Sequence, residues 1–212
     1  MRAKILGGEW RPGRLLAEAA VARELEVSRV PVREALFELE RDGLVVFSAS
    51  GRASVRRLGA ADFEELLTLR LALEPVAARL ACGRLAAAGD RMARNLRETR
   101  AAAAIAEVTR LDLEFHDLVF EAAGHRRLER LWQSVRHEIE FWLAVLHRDH
   151  DERTRRTRAE TVEAHEELLA CLRGEKPSAA ERLMREHILG WREWLPLEQW
   201  NLPAPLAAPA HS

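Results

Sequence analysis

The sequence predicts a mainly α protein: a winged helix-turn-helix head at the amino end, followed by an all-α helical bundle. Three observations carry that prediction. Helical periodicity runs from Asp62 to the region of Leu197, with no strand-like alternation long enough to matter. Ahead of it, around Ser28, a helix start signal follows a second short apolar-periodic segment after a two-residue turn. Between these regions lie two β-prone runs joined by a turn that contains a glycine.

The first of the paired head helices is the short segment from Leu16 to Leu25, and Glu26-Val27 turns the chain into the next. Ser28 is a good N-cap, and Pro31 falls in the first turn, where its missing N–H would have had no partner inside the helix. From that start Val32, Leu36 and Leu39 recur at helical spacing as a core stripe, while Arg29 and Arg33, four apart, share another face near the amino end. Residues 44–47 and 53–57 are the β-prone runs, and residues 48–52 join them, with Gly51 for the turn. They form the wing. In the body, helices are expected at about 62–87, 91–107, 109–123, 126–148, 155–173 and 178–195, with breaks at Gly89-Asp90, Gly124, Asp149 to Asp151 and Gly174 to Pro177. The expected division is a head over 1–58, a bundle over 59–197 and a disordered, proline- and alanine-rich tail over 198–212.

The head suits DNA reading. An arginine guanidinium bonds O6 and N7 of guanine through two parallel contacts, so Arg29 and Arg33 are the candidates for base recognition. Ser28, Arg52 and the backbone near Gly51 are candidates for phosphate contacts, which set register without reading sequence. Two arginines on a helix usually do no more than solvate it; cap, short turn, second helix and wing together reverse that expectation.

Pro12-Gly13, Leu16, Val27-Ser28-Arg29, the run from Pro31 to Leu36, Leu39 and Gly43-Leu44 resemble the amino-terminal domain of the GntR family of bacterial transcription regulators. The resemblance covers residues 2–58 and implies a DNA-contacting segment that includes Val30 and Pro31. The family pattern usually has threonine where this chain has Val30, so one polar contact to DNA is lost there. The family's first helix also usually starts several residues before Arg2, so a shortened first helix is expected, and Met1 as an internal or trimmed start.

Composition fits a globular chain: 48% apolar and 32% charged residues in 212. The net charge of −1 hides an asymmetry, with 11 Lys/Arg against 8 Asp/Glu in residues 1–58 and 22 against 26 in the remainder. A basic head on an acidic body suits DNA binding by the head. Two cysteines, Cys82 and Cys171, sit among alanines and leucines and read as core residues. With no signal peptide and no long apolar run, a reduced, cytoplasmic protein with no membrane span is expected.

Four polar residues fall at, or beside, positions where body helices should be apolar. Asp112 and His116, at i and i+4, run along the edge of the stripe Leu111, Phe115, Leu118, Val119 and Ala122. His165 belongs to the series Val162, His165, Leu169, Leu172, and His187 to Ala180, Leu183, His187, Trp191, Trp194. Buried imidazoles and carboxylates need partners, and a divalent cation would satisfy all four at once. Hydrogen-bonded core histidines are the competing explanation, and spacing alone leaves both open. His125, His137, His147, His150 and His211 read as lying at loops, helix ends, polar faces or the tail, with His147 and His150 in a solvated turn beside Asp149 and Asp151.

The run from Arg70 to Pro75, that from Asp112 to His116, Glu163-Ala164-His165 and that from Met184 to His187 are similar to the FadR-type carboxy-terminal ligand-binding domain, the FCD subfamily, over residues 62–195. That resemblance implies Asp112, His116, His165 and His187 as ligands to a divalent metal, zinc first, with nickel or manganese as alternatives. It also implies an effector near Arg70, which would clamp a small carboxylate; pairing with Glu74 explains Arg70 equally well. The resulting reading is a homodimeric transcription regulator that binds a near-palindromic operator under the control of an organic acid at the metal. A metalloregulator that senses the ion itself is the alternative. A metal-dependent enzyme is remote, because it needs a general base, and Glu114, Glu163 and Glu166 fall on outward faces.

Overall fold

The computed structural model describes residues 1–174 and 176–194, so the expected tail over 198–212 lies outside the described residues. The order is α1 (Arg2–Leu6), α2 (Glu18–Glu24), α3 (Arg29–Arg41), β1 (Val45–Phe47), β2 (Ala53–Val55), α4 (Ala60–Ala81), α5 (Ala86–Ala101), α6 (Ile105–Ala123), α7 (Arg126–Thr154), α8 (Thr157–Leu172) and α9 (Pro177–Trp194). The chain is mainly α, a winged helix-turn-helix followed by a helical bundle.

In the head, α2 turns into α3 with Glu26 in the left-handed region at φ 56°, and Val27 N–H donates to Ala22 O at 3.0 Å. Ser28 occupies the N-cap with extended backbone, but its side chain makes no capping bond; the first turn relies on Pro31, which has no N–H to satisfy. Val32, Leu36 and Leu39 are buried as the stripe requires. β1 and β2 pair antiparallel, Val45 opposite Val55, and are shorter than the β-prone runs that contain them. Gly51 turns the wing at φ 73°, where an L side chain is strained. The head core extends into the body: Phe141 and Val145 of α7 pack with Ile5, Trp10 and Leu16.

In the bundle, α6 is central and packs on α4, α5, α7 and α8, while α4 packs along α9. Three expected boundaries are corrected. The helix read as 62–87 stops at Ala81: Cys82 turns extended and Gly83 adopts φ 72°, its N–H donating to Leu172 O at 3.0 Å. Gly89, read as a break, lies inside α5, which ends at Ala101. The break read at Asp149 to Asp151 lies inside α7, which runs on to Thr154 because His147 and His150 continue its buried face. Cys82 is buried and Cys171 half-buried, both free thiols. No described helix is long and apolar enough to cross a membrane.

Candidate metal centre and nucleic-acid face

Four helices converge inside the bundle. From α6, Asp112 Oδ1 lies 3.7 Å from His116 Nε2 one turn on. From α8, His165 Nε2 lies 3.8 Å from Asp112 Oδ2. From α9, His187 Nε2 lies 3.3 Å from His116 Nε2. One nitrogen from each of His116, His165 and His187 falls within 4.8 Å of the other two. The four residues read from the sequence as a set therefore meet.

Arg70 of α4 meets the same centre. Its guanidinium pairs with Glu74 through Nε and, at 3.1 Å, through Nη2, lies 3.6 Å from the Trp191 ring centre, and reaches within 3.3 Å of His116 Nε2. Glu74 in turn lies 2.6 Å from His116 Nδ1, which favours the proton on that nitrogen and leaves Nε2 to accept from Arg70 Nη2. Both Arg70 and Glu74 are fully buried, and Arg70 Nη1 has no hydrogen-bond partner.

Burial dominates the electrostatics of the centre. Burial pushes the Asp112 carboxyl up to about 6, in spite of His116 and Arg70. Burial, with neighbouring His187 and His116, drives His165 well below the usual imidazole range, so it stays neutral. Against the pull of burial, Arg70 and His116 hold Glu74 down at about 2. Asp112 Oδ1 and both ring nitrogens of His165 are buried without a hydrogen bond, a condition that costs about 1–3 kcal/mol per group. Neutral imidazoles on His165 and His187 and a carboxylate with an idle lone pair fit a divalent metal ion such as zinc.

A cavity of about 450 Å³ opens between α8 and α9 onto Asp112 and His187. Glu160, Glu163, Glu167, Glu186 and Glu193 also line it, and among the described residues no Lys or Arg does.

The reading of His147 and His150 as a solvated turn is corrected. His147 is fully buried, with Nε2 3.7 Å from Asp112 Oδ2, and His150 is buried against Trp194 and Thr157. Helical spacing carried the sign: Ile139, Leu143, His147 and His150 form one stripe, hidden by ending the helix at 148.

On the head, Ser28, Arg29, Val30, Pro31, Arg33, Gly51 and Arg52 are all exposed. Glu18 of α2, which sequence reasoning missed, holds both arginines of α3: Arg33 through bonds of 2.7 and 3.0 Å, and Arg29 at 3.1 Å. These contacts lower the Glu18 carboxyl, Arg33 foremost. A groove between α2, α3 and the wing is lined by Glu18, Arg29, Gly51 and Arg52 together, so α3 and wing present one surface.

A winged helix that displays paired arginines, set on a helical bundle with a buried polar centre, defines a DNA-binding regulator. The FCD domain family matches residues 65–190, and the gntR family of bacterial regulatory proteins matches residues 1–55; the chain belongs to the GntR family, in the branch that carries an FCD domain. It is 30% identical over 149 residues to the HTH-type transcriptional regulator YdhC of Bacillus subtilis, covering 66% of this chain and 65% of that one. It is 34% identical over 130 residues to the Nta operon transcriptional regulator of Aminobacter aminovorans, covering 60% of each. The chain thus spans less than two thirds of the length of either. A GntR-type transcriptional regulator from Rhodococcus sp. RHA1 shares the fold with a TM-score of 0.71 at 26% identity, over 91% of this chain and 92% of that one. The family and these relatives are transcriptional regulators, not enzymes.

Proposed function

We propose that the protein is a cytoplasmic homodimeric transcription regulator whose winged helices read the two halves of a near-palindromic operator. A divalent metal held by Asp112, His116, His165 and His187 receives a small organic acid that controls operator affinity. The observation that carries this reading is the set of buried, unpartnered lone pairs on Asp112 and His165 beside two further imidazoles. Arg70 supports the organic acid, because its buried Nη1 has no protein partner and a carboxylate would supply one. At the head, Arg33 and Arg29 are proposed as base readers, with Ser28, Val30, Pro31, Gly51 and Arg52 along the DNA backbone. The effector acts only through its unequal affinity for two arrangements of the heads.

The acidic mouth favours a second reading, in which the metal ion itself is the signal. Six carboxylates and, among the described residues, no Lys or Arg line the cavity, a path that draws cations in and repels anions. One experiment separates the two readings: thermal shift and DNA anisotropy on metal-loaded and chelator-stripped protein across a panel of organic acids. A metal-dependent acid hit that changes DNA affinity supports the first. DNA affinity that follows metal alone, with every acid silent, supports the second. His165→Ala with metal content unchanged overturns both.

A further inference from the structure

We infer that His147, on α7, supplies a fourth imidazole to the buried centre, as a ligand to the divalent cation. The inference rests on the metal reading above and extends it to a residue outside the four-residue set. His147 is fully buried in α7 and faces Asp112 across the bundle. Its Nδ1 lies 3.0 Å from Thr109 Oγ1, and that hydroxyl donates its own hydrogen to Ile105 O at 3.1 Å. A hydroxyl has one hydrogen, so it accepts from the ring, and the His147 proton sits on Nδ1. Nε2 is then a bare lone pair. Among the described residues it has no hydrogen-bond partner, and it lies 3.7 Å from Asp112 Oδ2, one acceptor facing another.

Measured from Asp112, distance does not separate His147 from the expected ligands, although it stands outside the group in which His116, His165 and His187 lie within 4.8 Å of one another. His165 Nε2 stands 3.8 Å from the same carboxylate oxygen, and His116 Nε2 3.7 Å from the other. A core histidine kept only for packing would have both nitrogens satisfied or one open to solvent; this ring has one nitrogen pinned by a hydroxyl and the other idle. Pinning one nitrogen to aim the other is how proteins orient metal-bound imidazoles.

The assignment has two consequences. Five protein groups on an octahedral ion leave one position, so an effector would reach the metal through one atom rather than two. It also joins the centre to the head, because Val145, two residues before His147, and Phe141 form part of the head core. Occupancy of the ion would then bear directly on the helix that seats the head.

The test is the zinc-loaded full chain, with imidazoles per metal counted by X-ray absorption and affinity measured by chelator competition. Four imidazoles in the wild type and three in His147→Leu, with affinity weakened about 100-fold, are expected; Thr109→Val, which keeps the ring but frees Nδ1, weakens it about 10-fold. Three imidazoles in the wild type overturn the inference, and that count stands even if His147→Leu does not fold. Unchanged affinity and count in a folded His147→Leu overturn it too. His165→Ala is the control: failure to lose metal there defeats the metal reading itself.

Discussion

The two polar regions of this molecule are built on opposite principles. On the head, Arg29 and Arg33 stand in solvent and share one glutamate, Glu18, an arrangement that water and salt weaken and that a nucleic acid can replace at little cost. In the bundle, Arg70, Glu74, Asp112, His116, His147 and His165 are buried, His187 stands half-buried at the cavity, and several of their atoms have no partner among the described residues. Exposed charge can change partners; buried charge cannot, so a buried group without a partner points to a missing component. The difference predicts large stability effects from the centre and small ones from the head, with DNA affinity showing the reverse.

The largest effect tests the buried side. Arg70→Ala leaves the Glu74 carboxylate buried beside His116 without its guanidinium, which should cost about 3–5 kcal/mol. For a chain of this size that lowers the melting temperature by roughly 6–20 °C. Scanning calorimetry on metal-stripped protein checks it. A loss of under about 1 kcal/mol would mean the centre tolerates a lone carboxylate, and the contrast with the head would fail.

A second, smaller effect follows from pH in the metal-free protein. Burial, with His150 and Arg70 near, lowers His147 to about 3 from its ordinary 6.5, and burial lowers His165 likewise. A depressed folded value gives stability that is present above about 6.5 and lost as pH falls toward the folded value. Asp112 has the opposite sign: raised to about 6, its contribution is full below 3.8 and is lost as pH rises through about 6. His187 is lowered in the same way by burial, and three histidines outweigh one carboxylate, so net stability should fall as the pH goes from 7 to 5. Urea midpoints at both pH values test the sign, and a centre that gained stability on acidification would reverse it.

The head effect is read in DNA affinity. Arg33→Ala should weaken specific operator binding by one to two orders of magnitude, on the scale of one lost bidentate base contact, and leave the melting temperature and non-specific binding nearly unchanged. Anisotropy with specific and scrambled duplexes measures both. If specific affinity persists, Arg33 serves Glu18 rather than DNA, and Glu18→Ala would then show whether that pair only braces α2 against α3.

Much of this was legible in the chain, and the misses have physical causes. The α3 stripe and the Asp112–His116 row could be read because helical spacing repeats along one element, whereas placing His165 and His187 beside them rests on the resemblance to the FCD subfamily, because spacing within single helices does not say which helices converge. The α4–α5 break could not be read, because residues 77–88 are mostly alanine and leucine, good helix formers that carry the apolar pattern across the break, and Gly83 is the one local sign of it. His147 was hidden by its setting: Asp149 and Asp151 make a polar stretch that looks like a turn, whereas only one face of α7 is wet there. Glu18 was hidden for another reason, since its link to Arg33 joins two helices and leaves no periodic trace in either.

The smallest expected effect is at the wing. Arg52 is held at its tip by its own backbone N–H on Ser48 Oγ and by Nε on Ser50 Oγ, each at 3.1 Å, beside Gly51 in the groove it shares with Arg29. So placed, it meets phosphate rather than base, and phosphate carries no sequence information. Arg52→Ala should therefore weaken specific and scrambled duplexes alike, by less than about tenfold, and reduce the slope of log affinity against log salt by about 0.9. Stability should not move, since the side chain is exposed and its partners are two serines of the same turn. A loss confined to the specific duplex would make Arg52 a base reader and extend sequence recognition from α3 into the wing; an unchanged salt slope would take the wing out of the interface altogether.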